Sequence, residues 1–467
     1  MSNPWLTKLA SNIFFWIALF FLVHLIGIWN PPIEAAHSWR QATGLMVARN
    51  YFEGNTSFWY PMVDETNGGT GIIGMEFPVL YYIQGKVSHL FGFHVWIGRL
   101  LNVLISTLGL GYFYGLVRQF VNEKTAFYGT LLFIVSCYFM YSRKVMPDTE
   151  AISVYLIGIY FFFKVLRYGK WKDVVLSFVL LSLGLLLKIS VLPLFAFVVF
   201  AFLKTSNEPK KPFAFLIPFL SLILALIWYF VWNPYLAVQY GSWYNLGGGM
   251  LAAGNTFLHS PLLLMEHLAF HPFFSYLGIG VCLYGIIRLL KDGVSKALKL
   301  SILFFMLLFL AYALKAGVIF LTHEYYILPT VPILALIGGY ALSTLDKYAS
   351  LLMLCISIEA FGNQLYDFKP NSSEAYKLAL EYVSNRYIPR NALVAINGNS
   401  NPLELYLLGR KGWNLSDESF NDKYALIELK EKGCKYLVLN KRTLLAQPRI
   451  GKIIFSNENY LVIRLNN

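Results

Sequence analysis

Runs of about twenty apolar residues recur along this chain, and no other feature limits its fold so strongly. In hydrocarbon, only a continuous helix satisfies its own backbone groups. The first run, "NIFFWIALFFLVHLIGIW", follows shortly after "MSNPWLTK". It ends in "NPP" rather than at a small-residue cleavage site, so it reads as a retained anchor and not a removed leader. Spans are expected near 11–29, 95–118, 125–142, 149–167, 174–189, 190–204, 213–233, 273–291, 299–315, 325–343 and 347–362. Composition agrees: 57% of residues are hydrophobic and 13% charged, where soluble domains carry roughly 25% charge. The fold class expected is an α-helical polytopic membrane protein of about eleven transmembrane helices.

The net charge of +13 raises nucleic acid as a partner. Its distribution argues against that. "RQFVNEK", "KVLRYGKWKD", "KTSNEPKK", "RLLKDGVSKALK" and "STLDKY", nearly all of them basic, join alternate spans. Such loops face the cytoplasm. The opposite, extracytoplasmic face then receives two long segments, 30–94 and 234–272. The first holds two helical pieces, "QATGLMVARNYFEG" and "VLYYIQGKVSHLFG", around the glycine-rich "ETNGGTGIIGMEFP".

Residues 1–365 are thus read as the transmembrane domain and 366–467 as a small soluble α/β domain on that same outer face. "SSEAYKLALEYVSNRY" reads as a capped amphipathic helix. "ALVAING" and "KYLVLN" read as strands, "LIELKEKG" as a helix and "KIIFSNENYLVIRL" as a closing hairpin. Cys137, Cys282, Cys355 and Cys434 are widely spaced and imply neither a disulfide framework nor a cysteine metal site.

Ionisable groups beside a bilayer are costly, and here they gather on one side. Glu34, His37 and Arg40, Asp64 and Glu65, Glu76, Arg143, Lys144, Asp148 and Glu150, Lys188, and His323 with Glu324 all fall at the outer ends of helices. Glu34, Glu76 and Asp148 are expected to converge there. Plainer roles compete for some of these groups. Arg143 and Lys144 flank a helix end, where interface anchoring accounts for a cation. Asp148 follows Pro147 and suits a helix cap. Glu76, in "GMEFPVLYY", and Lys188, in "LGLLLKISVLPL", lie among apolar neighbours, where a charge needs a partner or a task.

The ordered set "HSWRQATGLMVARNYFEG", "YPMVDETNGG", "GMEFPVLYYIQGKVSHLFG", "IGRLLNVLIS", "YSRKVMPDTEA" and "THEYYILPTVPILAL" resembles the family 39 glycosyltransferases of the GT-C superfamily. That family includes protein O-mannosyltransferases and aminoarabinose lipid A transferases. The resemblance covers roughly residues 5–345. It implies an inverting hexosyl- or pentosyltransferase that moves a sugar from a polyprenyl-phosphate donor to a hydroxyl of a glycan, lipid or protein acceptor, beside membrane lipids. A bacterial inner membrane is the expected location.

In the family, an acidic residue three positions before the loop arginine is the base. Here His37 stands three before Arg40, and the nearest upstream carboxylate is Glu34. Either can take a proton near pH 7; the reading favours Glu34. The resemblance gives Glu76 and Asp148 to sugar or acceptor binding, or to a divalent metal should the reaction use one. It gives Arg40 to the donor phosphate, with Lys188, Arg143, His323, Tyr325 and Tyr326 completing the pocket. The lysine that the aminoarabinose transferases carry after the second-motif acid is replaced by Phe77. Rival readings are a lipid-linked glycan ligase or polymerase, a transporter or flippase of lipid-linked sugars, and a binding protein descended from such an enzyme.

Overall fold

The computed structural model describes residues 8–205, 212–242, 249–444, 447–448 and 450–465. Residues 1–7, 206–211 of the loop "KTSNEPKK" and 243–248 of the second long segment lie outside them. Each of the eleven apolar segments is helical over most of its length. Among the described residues, five helices are long and apolar enough to cross a bilayer: Val95–Phe120, Asp148–Tyr168, Phe213–Tyr240, Lys296–Ala316 and Glu324–Ser343. Others are cut short by identifiable residues. Ser136 is extended and caps a new helical turn with its hydroxyl, so 125–142 divides into Glu123–Val135 and Cys137–Tyr141. Lys188 is extended too and separates Trp171–Leu187 from the 3-10 turn Ile189–Phe195.

The chain divides into two compact units. The first comprises Met1–Ile28, Arg99–Val231 and Asn245–Phe368. Its helices approach closely where glycines meet: a Cβ on Gly339 would lie 2.5 Å from the Cα of Gly129. Small residues allow such contact where helices have no hydrophobic effect to press them together. On the helix Leu216–Ile227, Phe219, Leu220, Ile223 and Ile227 are about half exposed, the outward apolar surface of a helix that faces lipid. The chain is an integral membrane protein.

The second unit comprises Trp29–Gly98, Trp232–Tyr244 and Lys369–Asn467. Its five-stranded sheet has the order β2-β1-β3-β5-β4, with β1 Leu393–Ile396, β2 Gly412–Asn414, β3 Cys434–Asn440, β4 Lys452–Ser456 and β5 Tyr460–Arg464. β1 runs parallel to β2 and β3, and β5 pairs antiparallel with β3 and β4. Ala395, Trp413, Phe420, Leu437, Leu439, Leu461 and Ile463 form its core. The expected strands and hairpin are present. The leading helix begins as a 3-10 turn, Ser372–Leu378, capped by Asn371, before Ala379–Tyr387.

The segment 30–94 folds onto this sheet. Gly412 on edge strand β2 donates to the Asp64 carbonyl at 2.9 Å, and the Thr66 amide donates back to the Gly412 carbonyl at 2.9 Å. A sheet edge left open invites foreign strands; here the chain's own loop closes it. Arg49, on the helix Ser38–Phe52, fastens the same joint. It pairs with Asp64, donates to the Tyr406 carbonyl at 3.0 Å and lies over the Tyr406 ring.

Candidate active site

Glu34 and Glu76 belong to the second unit and Asp148 to the first, so each is described with its own neighbours. Glu34 is only 2% exposed. Its backbone bridges Pro370, and the Asn371 amide donates to the Ile33 carbonyl at 2.9 Å. Gln41 Nε2 donates to Glu34 Oε2 at 2.7 Å. His37 has left-handed backbone angles, φ 58° and ψ 32°, and makes no side-chain cap bond. Such angles in a non-glycine residue cost energy and concentrate at functional sites. The helix starts at Ser38, so His37 stands outside it, and it is the His37 carbonyl that accepts from the Arg40 and Gln41 amides.

Arg40 pairs with Glu76, and Tyr81 also donates to Glu76 Oε1, at 2.8 Å. Arginine and acid, assigned to different substrate groups by resemblance, are here each other's partner. The arrangement depends on the close fit of the helices Ser38–Phe52 and Val79–Phe91. A Cβ on Gly85 would stand 2.8 Å from the Ala48 carbonyl oxygen and 2.9 Å from Tyr51 Cβ. Gly85→Ala is therefore expected to destabilise the protein by about 1–3 kcal/mol, the usual cost of overpacking. A melting curve of the purified variant checks this, and an unchanged midpoint would mean that the helices part freely.

Asp64 and Glu65 do not join Glu34 or Glu76. Asp64 accepts from Asn50 Nδ2 at 3.0 Å beside its Arg49 pair, and Glu65 bridges Gly412. Burial raises the Glu65 carboxyl above its ordinary pKa, opposed by a bond from Asn67. Both serve the joint with the sheet.

In the first unit, Lys188 Nζ lies 2.7 Å from Asp148 Oδ1 and 4.9 Å from the Tyr325 ring centre. The break in the helix brings the lysine there. Asp148 is 4% exposed, does not cap its helix, and has no hydrogen-bond partner for Oδ2. The His323 ring stacks on Tyr325 at 5.5 Å, and Tyr326 stacks on Tyr312 at 5.9 Å.

Arg143 and Lys144 are buried as well. Arg143 donates to the Ile26 carbonyl at 2.9 Å and covers the Phe368 ring; Lys144 pairs with Asp367 at 2.5 Å. Glu150 is buried, and Glu324 Oε1 lies 4.0 Å from His271 Nε2. Among the described residues, no group of three or more His, Cys, Asp or Glu could hold a metal ion; Glu76 and Asp148 each face a cation instead.

Two contributors, Tyr81 and Asn102, were not singled out from sequence. Gln41 and Tyr81 hold the two carboxylates of the second unit. Asn102 donates to the carbonyls of Tyr141, Lys144 and Met146 at 2.7–3.3 Å, which fixes the loop leading to Asp148. An asparagine inside an apolar run was the available signal.

A family model described as dolichyl-phosphate-mannose-protein mannosyltransferase matches residues 76–232, from Glu76 past Asp148 and Lys188. No curated protein matches the sequence. The structure superposes on ArnT from Cupriavidus metallidurans bound to undecaprenyl phosphate, with a TM-score of 0.63, 13% identity, 96% of this chain and 97% of that one covered. The fold is of the GT-C type. The GT-C likeness extends to the Archaeoglobus fulgidus oligosaccharyltransferase in complex with zinc and sulfate, with a TM-score of 0.58 and 15% identity, covering 92% of this chain and 68% of that one. For the same organism's AglB, in complex with an inhibitory peptide and a dolichol-phosphate, the values are 0.53, 13%, 91% and 69%. The resemblance read from the ordered motifs holds.

Proposed function

We propose that this protein is an inverting membrane glycosyltransferase that moves a hexosyl or pentosyl group from a polyprenyl-phosphate donor to an acceptor hydroxyl on the extracytoplasmic face of a bacterial inner membrane. The observation that carries this reading is Lys188 at a helix break, between a carboxylate and a tyrosine face. A charge among apolar helices is expensive to keep, and a leaving lipid phosphate requires a cation as its oxygen gains charge. The GT-C fold and its match with an undecaprenyl-phosphate-bound structure support the same donor class.

The roles follow from the groups present. Glu34 accepts the acceptor's proton while Gln41 orients it. The acceptor oxygen then bonds to the sugar carbon as the bond to the phosphate oxygen breaks. Lys188 and Arg40 meet the phosphate, with Tyr325, Tyr326 and His323 beside Lys188. Glu76 and Asp148 hold those cations in place and accept bonds from sugar or acceptor hydroxyls. The backbone pairing of Glu34 with Pro370 supports placing the C-terminal domain, residues 366–467, on the face of the loop that bears Glu34.

Lys188→Gln, made together with Asp148→Asn so that no buried carboxylate is stranded, is expected to weaken donor binding about tenfold or more, the value of a charged hydrogen bond. Titration of the purified protein with a polyprenyl-phosphate sugar measures this, and unchanged affinity would remove Lys188 from the donor site. Mass spectrometry of surface glycans with and without the protein names the transferred sugar.

A further inference from the structure

A concavity of about 790 Å³ lies within the first unit, lined by Tyr114, Glu123, Lys124, Phe127, Tyr128 and Ser350 among others. It stands at the other end of the helices from Asp148 and Lys188. The path from Glu123 through Cys137–Tyr141 covers roughly 30 Å of helix, the thickness of a hydrocarbon core. The groove therefore sits at headgroup level, where tyrosine belongs.

Its chemistry is paired. Glu123 and Lys124 open the helix Glu123–Val135, whose first turn carries a partial positive charge. Glu123 and Lys124 are both exposed. Tyr114 donates to Glu123 at 3.3 Å, Lys124 meets Asp346 at 2.9 Å, and the Tyr128 and Ser350 hydroxyls face each other at 3.3 Å. A lysine in the first turn of a helix, with two hydroxyls lining the same groove, suits a phosphodiester. A carboxylate one residue away suits a primary ammonium, and with Asp346 it disfavours a headgroup that carries only negative charge.

We infer that this groove binds the headgroup of an amine-bearing phospholipid, the phosphate on Lys124, Tyr128 and Ser350, the ammonium on Glu123 and the glycerol against Tyr114 and Phe127. A choline headgroup has the charge but no N–H to donate to Glu123, so it binds more weakly.

Native mass spectrometry of the full chain, titrated with phosphatidylethanolamine, phosphatidylcholine and phosphatidylglycerol of identical acyl chains, tests this. One phosphatidylethanolamine per chain is expected at concentrations several-fold below those needed for the other two. Glu123→Gln should bring it to the level of phosphatidylcholine, and Lys124→Gln should weaken phosphatidylethanolamine and phosphatidylglycerol alike. Both residues are exposed, and matched melting curves confirm folding; Ser350→Ala gives a milder third variant. Equal retention of the three lipids, or a preference that survives both substitutions, would mean unselective annular lipid and overturn the inference. A phosphatidylglycerol preference would overturn the ammonium assignment.

Discussion

Glu34→Gln is expected to lower turnover by about 10²–10⁴-fold while donor binding is retained, the usual contribution of a general base. The substitution is unusually clean here. Glutamine keeps the size of a side chain that is 2% exposed, can still accept from Gln41, and leaves the backbone bridge to Pro370 untouched. What it loses is the ability to take a proton. His37, three residues before the arginine, competes for the role, but its left-handed backbone places it outside the helix that carries Arg40 and Gln41. His37→Gln should therefore cost less than about tenfold, well below the general-base range. Single-turnover rates with saturating donor separate the two. An active Glu34→Gln beside a dead His37→Gln would make the imidazole the base.

Lys144→Met should have the largest effect on stability, a loss of about 3–5 kcal/mol, because it strands a buried carboxylate. Lys144 and Asp367 are each 2% exposed at the side chain and 2.5 Å apart. Taking both charges away is a different matter: a buried pair replaced by apolar groups of similar volume is often neutral or stabilising. The double variant Lys144→Met with Asp367→Leu should thus recover most of the lost melting temperature. If the single substitution leaves the midpoint where it was, or the double one melts as low as the single, the Lys144–Asp367 pair does not carry this share of the stability.

Hydropathy made the helical segments legible, since each must hide its backbone from lipid, and it also exposed Lys188 as an interruption. Ser136 gave no such warning: a serine in an apolar run is unremarkable until its hydroxyl caps the next turn. The strands β1 and β3 were readable from their Val, Ile and Leu content, whereas β2, three residues of Gly-Trp-Asn, owes its conformation to its neighbours. For the site, residue types and their ordered motifs pointed to the chemistry. The pairings did not follow, because Arg40 with Glu76 and Lys144 with Asp367 join residues that only the fold brings together. His37 shows the same limit at the backbone: nothing in the sequence announces left-handed angles at the residue that precedes the helix.

The clasp between Arg49 and Tyr406 joins residues 357 positions apart. During synthesis the segment bearing Glu34 leaves the ribosome well before the sheet edge that secures it. Closure of so long a loop is slow compared with formation of local helices. The nascent chain accordingly carries that segment unsupported until the strand Gly412–Asn414 and its neighbours arrive. A product truncated shortly before Lys369 would keep its apolar helices and lack the support for its chemistry.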